Sequence, residues 1–222
     1  MMLDNALASN HTVYSIDELA ETLSAQAKRE RLMVAIAGPP GGGKTTASEM
    51  LRTILTSQYH LPTQIVPMDG FHYDNAVLEP QGLLPRKGAP ETFDVDGLEN
   101  TLMRLATLPI ADVAIPVFDR TVELARAGAR IIRSDTQILL IEGNYLLLQD
   151  SPWHRLRKYF GYTVMIKCDQ KTLHDRLMKR WLDLGLGESD ALSKIQTNDL
   201  PNAIKVETES VTADCTAIEP LI

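Results

Sequence analysis

The sequence predicts an α/β fold, with a mainly parallel sheet covered by helices on both faces. Three observations predict it. Continuous apolar runs at 32–38 (LMVAIAG), 136–143 (TQILLIEG) and 162–169 (YTVMIKCD) have the character of strands buried on both faces. Stretches of helical period separate them. A glycine-rich stretch at 38–46, GPPGGGKTT, joins the first run to a helix. Strands alternating with helices in this way build a parallel sheet.

The elements follow in order. Ser15 with Glu18 matches a capping box, and Ile16, Leu19, Ala20 and Leu23 recur at helical spacing, so an N-terminal helix is expected over about 15–28. After strand 32–38, residues 45–58 read as a helix with Met50, Leu51 and Leu55 on one face. TQIVPM (63–68) is the second strand. Residues 70–94 are rich in glycine, proline and charge, with only Val77 and Leu78 as a short apolar piece, and a loop this long points to function. Residues 95–108 are helical, with Leu98, Leu102 and Leu105 in a stripe. DVAIPVFD (112–119), 136–143 and 162–169 are strands. Residues 170–185 form a helix stopped at Gly185. DALSKIQTND (190–199) reads as helical, and NAIKVETE (202–209) and TADCTAI (212–218) as short strands.

Length and composition bound the function. The chain has 222 residues, 44% hydrophobic and 23% charged, without repeat, low-complexity tract or linker, and residues 1–222 read as a single domain. Net charge is −7, from 29 acids against 22 Lys and Arg, which argues against nucleic acid as a partner. No apolar run approaches the roughly 20 residues of a membrane span, so no membrane partner is expected. The opening MMLDNALASNHTVYS shows no secretory signal. Cys168 and Cys215 lack metal-ligand spacing and read as reduced thiols of a cytoplasmic protein.

Gly38, Gly43, Lys44 and Thr45 fit GxxxxGK[ST], the P-loop pattern, and a buried strand before it with a helix after it supplies the required context. Glycines let backbone N–H groups close around phosphate oxygens at the positive end of a helix. Gly38, Pro39, Pro40, Gly41, Gly42, Gly43, Lys44, Thr45 and Thr46 are therefore the expected nucleotide-binding loop. Lys44 reaches the β- and γ-phosphates and Thr45 binds Mg²⁺. A plain Gly-rich turn with a solvated lysine is the alternative.

The stretch IVPMDGFHYDN ends a strand in Asp69. Ligands of open α/β sheets bind beyond the carboxyl ends of the strands, so Asp69 should face the same crevice and can take the proton of an attacking hydroxyl. A Mg²⁺-linked structural role is its rival. Phe71 is a candidate wall of the acceptor pocket, and His72 either bonds an acceptor hydroxyl or is a polar loop residue. Glu142 ends ILLIEG at a Walker B-like position and is expected to hold Mg²⁺. Arg86 and Lys87 lie in the long loop. Arg176 and Arg180, four apart, project together from one helix face and can neutralise charge on the transferred phosphoryl group, or belong to a solvated face with Asp175, Lys179 and Asp183. Asp119 and Arg120 follow a strand and are acceptor-site candidates, as is Asn144. Asn198 and Asn202 are candidates for the nucleotide base or for capping.

With PMDGFH, GLLPRKGAPETFDVDGL, PVFDR and LIEGNYLLL in this order over roughly residues 30–180, the chain resembles the P-loop kinases that include uridine kinase, phosphoribulokinase and type I pantothenate kinase. MDGFHYDN and RKGAPETFD most resemble bacterial nucleoside/nucleotide kinase-like proteins associated with fructose transport. The resemblance implies a P-loop NTPase fold with a helical lid over about 170–190. It implies ATP- and Mg²⁺-dependent phosphorylation of a hydroxyl on a small metabolite, a sugar such as fructose being the first candidate and a nucleoside or pantothenate-type acceptor the second. Asp69 would be the base, with Lys44, Arg176 and Arg180 catalytic and Thr45 and Glu142 at the metal. Where uridine kinases carry an aromatic and a His-bearing segment, this chain has FDRTVELARAG, with Glu123 and Arg126, which argues against a nucleoside. Two other classes stay open: a regulatory P-loop NTPase, disfavoured by the lack of NKxD and LSGGQ-like motifs, and a nucleotide sensor without transfer activity. Monomer or homodimer is left open.

Overall fold

The computed structural model describes residues 13–27, 31–108 and 110–218. The stretch read for a secretory signal falls mostly outside these residues, as does the last residue of the expected first helix.

Among the described residues six parallel strands make the main sheet: β1 (Val13–Tyr14), β2 (Leu32–Ala37), β3 (Thr63–Pro67), β6 (Ile138–Gly143), β7 (Tyr162–Lys167) and β8 (Cys215–Ile218), in the order β1-β8-β7-β2-β6-β3. Alternate residues of the central strands enter two different cores. Met33, Ala35, Leu139 and Ile141 face one, and Val34, Ile36, Leu140, Val164 and Ile166 the other. Burial on both sides explains why these strands read as unbroken apolar runs.

Helices α1 (Ile16–Gln26) and α2 (Lys44–Ser57) cover the second face, through Leu19 and Leu23 and through Ala47, Leu51 and Leu55. The capping box at Ser15 and Glu18 is present. Met50, expected on the buried face of α2, is 36% exposed; Ser48 sits inward with Leu51 and Leu55, one step round the helix. The first face is covered by α4 (Val95–Ala106), whose Leu98, Leu102 and Leu105 are fully buried as expected, by the 3₁₀ turns at Trp153–Tyr159, and by Val206 of α7 (Leu200–Glu209). The loop 70–94 is a chain of short turns and the one-turn α3 (Asn75–Leu78).

Two expectations are corrected. Residues 202–209 are helical, within α7. Asn202, Ala203 and Val206 are buried at helical spacing while Ile204 is 60% exposed, so the apparent alternation of apolar residues does not define a strand. The strand at 112–119 is real, as β4 (Val113–Asp119), but it pairs antiparallel with β5 (Leu124–Ile132) in a separate ribbon. Val113 and Ile115 are buried and Ala114 is exposed, the pattern of a strand covered on one side. Pro116 lies at the register shift between Ile115 and Val117, where a missing N–H is tolerated. The ribbon is tied to the edge strand β3 by Arg130 Nη1, which donates to the Ile65 carbonyl at 2.8 Å, and by Gln64 Nε2, which donates to Ile131 O at 3.1 Å.

Helix α5 (Gln170–Asp183) starts at Asp169, which accepts the Thr172 N–H at 3.0 Å, and stops at the left-handed Gly185. With α6 (Glu188–Lys194), the π turn Ile195–Asp199 and Ala203 of α7 it forms a small separate core of Leu173, Leu177, Ile195 and Ala203. Among the described residues no helix is long and apolar enough to cross a membrane. Both cysteines are free thiols.

Candidate active site

Register assembles the site. In the sheet β6 lies between β2 and β3, with Ala37 opposite Gly143 and Pro67 opposite Glu142. The loop after β2, the carboxylate near the end of β6 and the turn after β3 therefore meet at one edge, beyond the carboxyl ends of the strands. A cavity of about 980 Å³ opens there.

On one side is the glycine loop. Gly41 and Gly43 have φ of 75° and 90°, which residues with a Cβ rarely adopt, and Gly43 caps α2. A Cβ on Gly38 would lie 2.8 Å from the Ile166 carbonyl oxygen. The loop is thus a cradle of backbone at the start of a helix, suited to phosphate. Lys44 is buried and its Nζ donates to Pro39 O at 2.8 Å. Burial pulls its ammonium down to about 8 even with Glu142 and Asp69 opposing. An amine so desolvated gains most from an anionic ligand. Pro40, Gly41, Gly43, Thr45 and Thr46 also line the cavity. Pro39 and Gly42 close the turn through the Gly42 N–H to Pro39 O bond of 2.9 Å.

Thr45 Oγ1 donates to Glu142 Oε2 at 3.3 Å. A hydroxyl and a carboxylate with oxygen donors converging beside a phosphate-type cradle fit a hard divalent cation such as Mg²⁺. Burial, with Asp69 nearby, pushes the Glu142 carboxyl up to about 7, a cost that a cation would remove.

On the other side is Asp69, in the 3₁₀ turn Met68–Phe71 that follows β3. The Arg120 guanidinium, from the β4–β5 turn, donates to Asp69 Oδ2 at 2.7 Å. Burial raises the Asp69 carboxyl, but the charges facing it, first His72 and then Arg120, Lys44 and Arg180, outweigh burial and hold it below the usual carboxylate range. His72 donates its Nδ1–H to the Asp69 carbonyl at 2.8 Å and lies between the rings of Phe93 and Phe118, at 4.0 and 4.8 Å. Burial there lowers its affinity for a second proton, with the Asp69 carboxylate opposing.

The remaining expected residues divide. Arg176, Arg180, Lys87, His72, Arg120 and Asn144 line the cavity. Lys171 with Asp175 and Lys179 with Asp183 form exposed pairs along α5, and Asp183 lines the cavity together with Arg176 and Arg180. Phe71, expected as a pocket wall, is in the hydrophobic core under the turn, because the 3₁₀ turn carries its ring inward. Arg86 points away, to Glu91 at 3.5 Å and to the Thr197 carbonyl at 3.1 Å. Asp119 is outside the cavity lining; its Oδ1 accepts the Thr121 N–H and hydroxyl, its Oδ2 faces Arg126 at 3.2 Å, and it shapes the hairpin turn. Asn198 donates to the Lys87 carbonyl at 3.0 Å.

Sequence reasoning missed Asn75, Phe118, Trp181 and Asp199, which also line the cavity. Asn75 Oδ1 accepts from Lys87 Nζ at 2.6 Å. Only its place in the long functional loop hinted at it. Asp199 stands in a π turn that periodicity does not reveal.

The chain has relatives among known proteins. No protein-family model matches the sequence. The solved structure of a "putative fructose transport system kinase" from Silicibacter sp. TM1040 shares 38% identity with the chain, covers 93% of it and 100% of that protein, and superposes with a TM-score of 0.84. The protein YggC of Escherichia coli (strain K12) is 32% identical over 179 residues, 80% of this chain and 73% of YggC. A "putative uridine kinase" of Schizosaccharomyces pombe is 29% identical over 210 residues, 91% of this chain and 89% of that one. The chain belongs to the P-loop kinase family of uridine kinase and pantothenate kinase, and is a phosphotransferase with an alcohol group as acceptor.

Proposed function

We propose that the protein transfers the γ-phosphoryl group of ATP to a hydroxyl of a small metabolite, a sugar such as fructose, with Asp69 as the general base. The observation that carries this reading is the Asp69 carboxylate, fixed by Arg120 at 2.7 Å in the cavity that also contains Lys44 and the glycine loop. The fructose assignment is supported by the name of the 38%-identical relative.

In this reading the N–H groups of Gly41 to Thr45 and the Lys44 ammonium bind the phosphates. Mg²⁺, held by Thr45 and Glu142, would neutralise charge on the phosphate oxygens. Asp69, ionised at neutral pH, orients the acceptor hydroxyl and takes its proton late in a loose transition state, where positioning matters more than basicity. Arg120 keeps that carboxylate ionised and in place. Arg176 and Arg180 meet the charge that spreads onto the transferred group. α5 and α6 act as the lid that excludes water, and the whole chain works as one kinase domain.

The test is incubation with ATP, Mg²⁺ and D-fructose, uridine, pantothenate or D-glycerate, with product read by mass spectrometry. Phosphorylation of at least one acceptor, abolished by Asp69→Asn, is expected. No product with any acceptor, or undiminished turnover by Asp69→Asn, would overturn the reading.

A further inference from the structure

The passage from α6 to α7 is a single π turn, Ile195–Asp199. Pro201 explains it. Proline has no N–H to give the Thr197 carbonyl four residues back, and its ring crowds that carbonyl. Thr197 O instead accepts from Arg86 Nη1 at 3.1 Å. Such turns occur often at functional sites. Here the turn and the first turn of α7 present three polar side chains, Asn198, Asp199 and Asn202, that are only 3%, 5% and 3% exposed. Asp199 and Asn202 line the cavity.

Bonding fixes which end of the cavity they occupy. Asn202 Nδ2 donates to Asn198 Oδ1 at 3.2 Å, and Asn198 Nδ2 to the Lys87 carbonyl at 3.0 Å. Lys87 belongs to the loop that returns to the Asp69 turn through the His72–Phe93 bridge. Arg180 carries charge interactions with both Asp69 and Asp199. The π turn therefore shares its cavity with the proposed base and is tied to the loop that follows it.

The cations beside this wall, Arg180 and Lys194, are drawn to Asp199 itself, and others are engaged elsewhere. Arg120 is engaged by Asp69, and Lys87 Nζ by Asn75 Oδ1 at 2.6 Å and the Glu123 carbonyl at 3.1 Å. Among the described residues Trp181 is the hydrogen-bond donor to Asp199, through Nε1 to Oδ2 at 2.7 Å, whereas a carboxylate has room for about four. A buried carboxylate beside a carboxamide suits adjacent hydroxyls, which donate to the first and exchange bonds with the second.

Resting on the kinase reading, we propose that Asp199 and Asn202 determine acceptor specificity and select an uncharged polyol by binding two neighbouring hydroxyls. Wild-type protein, Asp199→Asn, Asn202→Ala and Trp181→Phe are assayed with ATP, Mg²⁺ and four acceptors: D-fructose, ribitol, D-glycerate and fructose 6-phosphate. Affinity for a non-hydrolysable ATP analogue is measured by calorimetry, and folding by thermal melting. The wild type is expected to prefer fructose or ribitol. Asp199→Asn and Asn202→Ala should raise the KM for that polyol by about tenfold or more, with kcat and nucleotide affinity within about threefold. Trp181→Phe, which keeps the carboxylate, should raise it far less. Equal losses in Asp199→Asn and Trp181→Phe would reduce Asp199 to a structural role and overturn the proposal. Weakened nucleotide binding with acceptor KM intact would overturn it by moving the wall to the nucleotide. Exclusive use of an anionic acceptor would overturn it and leave the kinase reading standing, whereas failure with these four and with uridine and pantothenate would end both.

Discussion

Arg120 and Asp69 face each other at 2.7 Å across the junction of two separate sheets, one residue from the β4–β5 turn and the other from the end of β3. The pair links the ribbon to the proposed base. Asp69→Asn keeps the shape and loses the base, so kcat should fall about 10²- to 10⁴-fold with nucleotide affinity nearly unchanged. Arg120→Ala removes one of the charges that hold the Asp69 carboxyl low. The acid limb of kcat/KM should then move to higher pH, which a pH–rate profile reads directly; an unmoved limb would show that Asp69 does not control it.

Gly70 makes the same junction sensitive to a single methyl. A Cβ there would lie 2.4 Å from the Pro116 carbonyl oxygen, on the backbone of β4. Neither side of that contact is a flexible side-chain end. Gly70→Ala should cost about 1–3 kcal/mol by overpacking and reduce kcat more than it changes nucleotide affinity, because the displaced residue adjoins Asp69. Urea denaturation alongside steady-state kinetics checks both parts.

Much of this architecture was legible because burial on two faces leaves a plain record. β2, β6 and β7 read as unbroken apolar runs, α4 as a leucine stripe, and the phosphate loop as a spaced motif. Asp69 and Glu142 were legible as acids that end such runs. β5 was not, since LARAGARII is mostly exposed and carries Gly128 at its centre, leaving neither alternation nor continuity. The partners of β4 were hidden for that reason. Phe71 was assigned to the pocket because sequence proximity to Asp69 says nothing about the 3₁₀ turn that carries the ring into the core. Asp199 was hidden because a π turn breaks the helical period that would have placed it.

Glu142 gives a stability prediction for the metal-free protein. Its carboxyl is raised from 4.5 to about 7, chiefly by burial. Between those values the folded state holds a proton that the unfolded chain has released, so this group's contribution to stability falls as pH rises and is level above about 7. Glu142→Gln cannot titrate. The stability of the wild type relative to this variant should therefore decline by up to about 3 kcal/mol from pH 4.5 to 7. Urea titrations in chelator at several pH values measure the difference. A gap that widens in favour of the wild type with rising pH would contradict the assignment.

Arg180 and Lys179 are neighbours in sequence with opposite surroundings. Lys179 is outside the cavity lining and paired with the exposed Asp183, where such pairs contribute little. Arg180 is on the cavity side, its guanidinium 5.3 Å from the Trp181 ring and interacting with Asp69, Glu123 and Asp199. If its charge serves the transferred phosphoryl group, the loss should appear in kcat. Arg180→Ala should lower kcat about 10²- to 10³-fold, the range seen for removal of a preorganised electrostatic contact. Arg180→Lys should recover little, because a point charge cannot reproduce a planar, stacked fork. Lys179→Ala should leave kcat within about twofold and stability within about 0.5 kcal/mol. Comparable kcat losses at both positions would show that α5 acts through its overall charge or folding, and would remove Arg180 from the reaction.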